Sequence, residues 1–388
     1  MSTLKVGGIR GVSASSDAIT VANDGTCTAN ITNNLSNRNL VINGAMQVAQ
    51  RGASSTVAEG YGSVDRFKSN NANNDEAPTQ SQVDVASGTT PYTLGFRKAF
   101  RMTNGNQTSG AGSGDRVCII YNFEGQDMAC SGWNYVSDSS FITISFWVKS
   151  SVAQNFFVQL RARDGTEQGF TFETGSLSAN TWTKVTKAVP GNSNLQFDND
   201  NTAGLLMEWN IFRGTDKTGS MSLDTWAAFN GSVRTPDQTS TWYTTDNATF
   251  EITGVQVEVG SVATDFEHKS FRQELQSCQR YYCQTYNYGT YPGASAGGTG
   301  AIRNMAYGSS AYAGCGNFSF PVKMRTTPTC SLFSRDGTAG KINADGTLGN
   351  GSVGNVGAYC CNPARNNDSS GVGNSVSMSC HVTADAEL

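Results

Sequence analysis

Five carboxylates, Glu124, Glu167, Glu173, Glu208 and Asp224, are the groups in this 388-residue chain that come nearest to a catalytic chemistry. Glycoside hydrolysis needs two such groups roughly 5–10 Å apart across the scissile bond. Sequence spacing sets no such distance, and a β-rich frame always supplies a few acids. The chain has only two histidines, His268 and His381, and no Ser, Asp and His fall in an order that nucleophilic catalysis would use. Cysteines stand at positions 27, 118, 130, 278, 283, 315, 330, 360, 361 and 380, with no Cys-x-x-Cys pair among them. A zinc knuckle and a redox-active dithiol are therefore excluded. Asp198-Asn199-Asp200-Asn201 opens like a calcium loop. Ala203 stands where the sixth-position glycine belongs, and Trp209 holds the twelfth position. The EF-hand reading fails, no cofactor is expected, and only a looser calcium site stays open.

Recognition of a sugar asks for something else: a flat aromatic ring to stack on, with amides and hydroxyls to read the hydroxyl pattern. Aromatic residues make up 10% of the chain. Those in polar stretches are the glycan-binding candidates: Trp133, Tyr135, Trp226, Trp242 and Tyr243 in the first half, then Tyr286, Tyr288, Tyr291, Tyr307 and Tyr312. Packing explains any one of them taken singly. Trp147, Trp182 and Trp209 fall inside strand patterns and read as packing residues.

Composition narrows the field further. Charged residues are 15% of the chain, against about a quarter in ordinary soluble proteins. Lys plus Arg number 27 and Asp plus Glu 31, so there is no basic excess to replace counterions on nucleic acid. No run of 18 apolar residues occurs, which argues against a membrane-spanning helix and against membrane insertion.

Alternating patterns must position these groups. Ile142, Ile144, Phe146 and Val148 share one face of a strand, as do Phe156, Val158 and Leu160, and then Leu205, Met207, Trp209 and Ile211. Thr249–Val259 is a further strand, interrupted at Gly254, where a bulge is expected. Gln256 and Glu258 read as solvent- or partner-facing ladder residues. Ser69–Pro78 and Thr103–Gly114 read as long loops, and Leu40-Val41-Ile42 opens the domain. Many strands and no long helix predict an all-β, two-sheet sandwich over 39–262. Residues 1–38 read as an extended docking arm with one strand at Asp17–Val21 and a turn at Asn23-Asp24-Gly25.

The period then changes. Ser270–Tyr282 reads as one short amphipathic helix, with Ser270 and Gln273 as a capping box. It lies in a linking segment, 263–285. Phe271, Leu275, Cys278, Tyr281 and Tyr282 are candidates for an oligomer or domain junction. Residues 286–388 form a second, small β domain, with Phe318–Val322 and a terminal strand carrying Val376, Met378, Cys380 and Val382. Polar loops are expected at Asn343–Asn355 and Asn362–Asn374.

The segment Asn39-Leu40-Val41-Ile42-Asn43-Gly44, then Gln50-Arg51-Gly52 and Asp65-Arg66-Phe67, resembles the opening of a family of tailed-bacteriophage tail-fibre or tail-associated proteins. Ile252-Thr253-Gly254-Val255-Gln256-Val257-Glu258-Val259-Gly260-Ser261 is similar to that family too, as are Ala263–Glu267, Glu274-Leu275 and Cys278-Gln279-Arg280-Tyr281-Tyr282. The resemblance covers about 39–282, and Phe320–Arg325 with Pro328 extends it into the next domain. It implies a jelly-roll or carbohydrate-module-like sandwich in a virion appendage, a trimeric homo-oligomer with host attachment as a common role. It implies no catalytic residues. The expected partners are other tail proteins through residues 1–38 and a host surface polysaccharide, on a particle assembled in the host cytoplasm. Free buried thiols are expected there, with late oxidation open to a particle released by lysis. The arm is short for a long fibre, so a purely structural tail, neck or decorating role is the alternative.

Overall fold

The computed structural model describes residues 6–12, 19–21, 27–29, 37–306, 313–344, 347–365 and 376–388. Near the start, β1 (Gly8–Ile9), β2 (Ile19–Val21) and β3 (Cys27–Ala29) pair as a small antiparallel sheet. The expected strand survives as Ile19–Val21, and its proposed turn lies outside the described residues.

Two sheets then face each other. One contains β4 (Ser54–Ser55), β7 (Thr79–Asp84), β8 (Lys98–Thr103), β10 (Phe141–Ser150), β13 (Thr183–Pro190) and β16 (Thr249–Val259), in the order β13-β10-β16-β8-β7-β4. The other contains β5 (Glu59–Gly60), β6 (Phe67–Ala72), β9 (Arg116–Glu124), β11 (Phe157–Ala162), β12 (Gln168–Glu173), β14 (Ala203–Arg213) and β15 (Trp226–Ala228), in the order β15-β12-β11-β14-β9-β6-β5. Alternate side chains of both sheets fill the space between them: Ile142, Ile144, Phe146 and Val148 from one, Val117, Ile119, Leu205, Met207 and Trp209 from the other. Period-2 patterning produces this, because a half-buried strand turns every second side chain inward.

Gly254 has φ +63°, and the β10–β16 register slips there, so the expected bulge is present. Leu40-Val41-Ile42 opens the domain by running into a turn, and its Val41 plugs the core. Two sequence expectations change. Residues 69–72 are strand rather than loop, and strand β7 follows directly after the expected loop. Their side chains are mostly polar, and pairing to β9 and β8 supplies the order that hydrophobic alternation does not announce. Gln256 and Glu258 are buried, because the 263–267 segment lies over them. Thr264 N donates to Glu258 Oε1 at 2.8 Å, and Glu267 N donates to Gln256 Oε1 at 2.8 Å.

One helix of more than a turn or so occurs among the described residues, Phe271–Gln279, opened by the Ser270–Gln273 capping box. It stops short of Tyr282, which instead begins β17 (Tyr282–Gln284). The second β body follows: β18 (Ile302–Ala306), β19 (Ala313–Gly314), β20 (Phe318–Ser319), β21 (Thr329–Phe333), β22 (Lys341–Ala344), β23 (Thr347–Gly354), β24 (Cys360–Arg365) and β25 (Val376–Asp385). The long terminal strand β25 is its spine, pairing with β17, β18, β21 and β22. Strands β22 and β23 pair antiparallel where a loop was expected, since Asn- and Gly-rich strands carry little hydrophobic pattern. Cys283, Cys315, Cys361, Cys380, Met324 and Val382 lie in its core. The cysteines from Cys118 to Cys380 are all unpaired thiols.

The chain is thus an all-β, jelly-roll-like sandwich with a short helix and a further β body. A buried polar joint connects them. Glu124, at the end of β9, accepts from Arg280 Nε (2.8 Å), Arg280 Nη2 (2.7 Å) and Tyr281 OH (2.5 Å). The Arg66 guanidinium lies 3.4 Å from the Tyr281 ring centre and pairs with Glu387. Arg51 lies 3.8 Å over the Tyr282 ring and pairs with Asp385 at 3.0 Å. Gln50 Nε2 donates to Asp65 and to the Tyr282 carbonyl.

Candidate functional site

The loop aromatics mostly turn inward. Trp133, Trp226, Trp242 and Tyr243 are buried, Trp242 completely, so none of them presents a ring face to a ligand. Tyr243 stacks on Phe212 at 4.2 Å, the Trp226 indole donates to the Pro190 carbonyl, and Tyr135 packs edge-on against Phe197. The core needed large rings, and short strands left the connecting segments to supply them. Tyr286 is also buried, stacked 3.9 Å from His381. Tyr288 is exposed, but its hydroxyl is tied to the Gln47 carbonyl (3.0 Å) and the Ala49 amide (3.2 Å). Tyr291 is half-buried, and Tyr307 and Tyr312 lie outside the described residues.

The junction candidates do converge. Cys278, Tyr281 and Tyr282 are buried, Leu275 is half-buried, and Phe271 stays exposed with its ring edge-on to Tyr288. They join the helix and second body to the sandwich.

Strand register builds the most distinctive polar surface, on the outward face of the seven-stranded sheet. One rung across it reads Lys68, Ile120, Glu208, Gln159, Thr171. The next reads Asn122, Leu206, Arg161, Gly169, Ala227. All these residues share a face because rung neighbours in a sheet point the same way. The 214–240 segment crosses above, and its Arg234 carbonyl accepts from Gln159 Nε2 (2.7 Å) and Thr171 Oγ1 (3.1 Å). Two cavities result. The first, about 260 Å³, is lined by Gln159, Gly169, Met221, Ala227, Phe229 and Val233 among others. The second, about 220 Å³, is lined by Lys68, Asn70, Asn122, Arg161, Arg163 and Glu208 among others. They adjoin where Arg161 lies 3.9 Å over the Phe229 ring.

This groove contains polar atoms that the protein leaves unengaged. Gln159 and Asn122 are nearly fully buried, yet no protein donor reaches Gln159 Oε1 or Asn122 Oδ1. Arg234 Nε is likewise buried without an acceptor. Each such atom costs about 1–3 kcal/mol unless something bonds it. Arg163 is exposed at the groove edge and makes no ion pair among the described residues. The other charges are matched: Lys68 with Glu59 at 3.0 Å, Arg161 with Glu167 at 2.6 Å, and Arg213 with Glu208 at 2.5 Å.

That matching bears on catalysis. Glu59 and Glu208 line the same cavity, but the hydrogen bond and charge of Lys68 hold the Glu59 carboxyl below its ordinary range. A glycosidic general acid needs the opposite shift. Glu124 is locked in the joint, and Glu173 accepts from Asn155 at 2.7 Å. Asp224 pairs with Lys187 at 2.6 Å. No group of three or more metal-ligating side chains occurs among the described residues. Asp198 N donates to Asp164 at 2.9 Å. His268 is exposed, bonded to the Leu94 carbonyl. No helix among the described residues is long and apolar enough to cross a membrane.

Fold and groove together define a two-sheet β-sandwich with a polar, amide- and guanidinium-lined trough on one sheet. No family model matches the sequence, and no curated protein matches it. Among solved structures, the tailspike protein 4 enzymatically active domain of bacteriophage CBA120 aligns over 57% of this chain and 22% of its own. Its identity is 10% and its TM-score 0.31. A putative sugar binding protein from Bacteroides thetaiotaomicron aligns over 57% of this chain and all of its own, at 10% identity and TM-score 0.30. The N-terminal cellulose-binding domain of Cellulomonas fimi β-1,4-glucanase C aligns over 56% and 99%, at 10% identity and TM-score 0.26. Similarity at this level assigns neither a family nor a ligand.

Proposed function

We propose that this protein binds a glycan without turning it over, through the groove on the seven-stranded sheet. One observation carries the reading: Gln159 and Asn122 line a polar trough whose edge holds the unpaired Arg163. Sugar hydroxyls donate and accept at once, so a chain of them serves acceptors and guanidinium together. Phe229 supplies the apolar contact that a sugar ring's C–H face uses.

The resemblance of 39–282 to tail-fibre proteins supports a finer reading. The protein is a virion appendage of a tailed bacteriophage, docked through residues 1–38 and trimeric, with a host surface polysaccharide as its ligand. Identical copies would raise avidity for a repetitive polymer with no new contact. Assembly would take place in the host cytoplasm. A purely structural tail or neck role is the alternative, and it leaves the groove unused.

The test is a glycan array probed with the full-length protein, alongside Arg163→Glu. Binding by the parent protein with about tenfold weaker binding by the variant is expected. Undiminished binding by Arg163→Glu and by Gln159→Ala would remove the groove from the mechanism. Absence of any glycan binding would favour the structural role.

A further inference from the structure

The opposite sheet carries a pocket unlike the groove. Five segments meet around a cavity of about 240 Å³: Ser145 and Trp147 from β10, Lys184 from β13, Gly254 from β16, the 94–96 turn, and the 264–268 segment. Its wall is aromatic. Phe96, Phe266 and His268 pack against one another with ring centres 4.9–5.1 Å apart, and Trp147 lies half-buried across from them. Two left-handed glycines permit this closeness. A Cβ on Gly254 (φ +63°) would meet Phe96 at 2.6 Å, and one on Gly95 (φ +99°) would meet His268 at 3.2 Å. The β10–β16 bulge falls at the same place, and bulges re-aim side chains beside functional sites.

The rim is polar and unengaged. Lys184 and Asp265 are exposed, and among the described residues neither charged group has a hydrogen-bond or ion-pair partner. The buried Ser145 hydroxyl and His268 Nδ1 also make no hydrogen bond.

We propose that this pocket is a second sugar site, one that holds a single neutral pyranose ring. The half-buried Trp147 and Phe266 take the ring's C–H face, with buried Phe96 packed behind Phe266. A vicinal pair of hydroxyls donates to the Asp265 carboxylate and accepts from the Lys184 ammonium. An apolar ligand would desolvate both charges without replacing their water. One carboxylate and one ammonium leave the rim with no net charge to favour an anion or a cation. At about 240 Å³ the cavity has room for one pyranose ring. This inference shares with the proposed function the reading of the sandwich as a sugar binder, but it places the contact on the other sheet.

The six tryptophans make the test direct. The full-length protein is labelled with fluorotryptophan, and the Trp147 fluorine resonance is assigned with Trp147→Phe. Glucose, galactose, mannose, N-acetylglucosamine, N-acetylgalactosamine and, as a zwitterionic control, leucine are then titrated to high millimolar concentration. At least one sugar is expected to move the Trp147 resonance saturably. Lys184→Ala and Asp265→Ala should each weaken that response about tenfold, and Arg163→Glu should leave it unchanged. No movement with any sugar overturns the inference, as does movement with leucine alone or a response untouched by both rim variants. Loss of array binding in Arg163→Glu while Trp147 stays still would leave the groove standing and dismiss the pocket. The converse result would do the reverse.

Discussion

Gly254 shows how much one residue decides. Its positive φ makes the bulge, the bulge flips strand parity so that Val255 and Val257 reach the core, and its missing side chain admits Phe96. An alanine there would suffer both a strained backbone and a 2.6 Å approach to Phe96 Cζ. Gly254→Ala should destabilise the fold by about 2–3 kcal/mol, measured by urea unfolding. Gly254→Ala with Phe96→Leu should recover part of the steric share and none of the backbone share. Other single residues behave similarly. Asn43, at φ +63°, donates from its amide to the Val48 and Asp65 carbonyls at 2.9 Å each, while its backbone N–H donates to Glu274 at 2.6 Å. Its residue type serves its own turn rather than a ligand.

At the scale of elements, the nine-residue helix Phe271–Gln279 is too short to persist without help. Ser270 Oγ accepts from Gln273 N, and the Gln273 side chain accepts from Ser270 N. Cys278 and Glu274 are buried beneath it. Ser270→Ala should cost about 1 kcal/mol, and hydrogen exchange should speed first in the amides of 271–274. Equal protection in variant and parent would show that burial alone holds the helix. The helix matters because it delivers Arg280, Tyr281 and Tyr282 to the sandwich. Of the residues that resemble tail-fibre proteins, Asn43, Gln50, Arg51, Asp65, Arg66, Glu274, Arg280, Tyr281 and Tyr282 lie in or beside that one joint. Their spacing along the chain encodes a connection between bodies.

For the whole molecule, the joint links stability to pH. Burial alone would raise the Glu124 carboxyl, but hydrogen bonds from Arg280 and Tyr281 outweigh it and hold it below 4.5. A carboxyl depressed in the folded state contributes stability above its unfolded value and loses it as pH falls through the folded one. Asp65 and Glu274 shift upward, chiefly through burial, so protonation relieves them and opposes the trend. Glu124→Gln isolates the first effect. It should lower stability by about 2 kcal/mol at neutral pH and by much less well below pH 4.5, read from melting temperatures at the two conditions. A penalty that does not change with pH would exclude the Glu124 charge as its source. Sequence alone determined the all-β class, the alternating core strands at Ile142–Val148 and Thr249–Val259, the bulge, the helix cap, and Tyr281 and Tyr282 as junction residues. Each of these follows from local periodicity, backbone preference or contiguous motif. Only the tertiary structure decided that Trp242 and Tyr243 are core, that Trp147 borders a cavity, and that Lys68, Asn122, Gln159, Arg161 and Glu208 share one trough. Those five come from four strands, and a one-residue change of register in any of them would send its side chain to the other face.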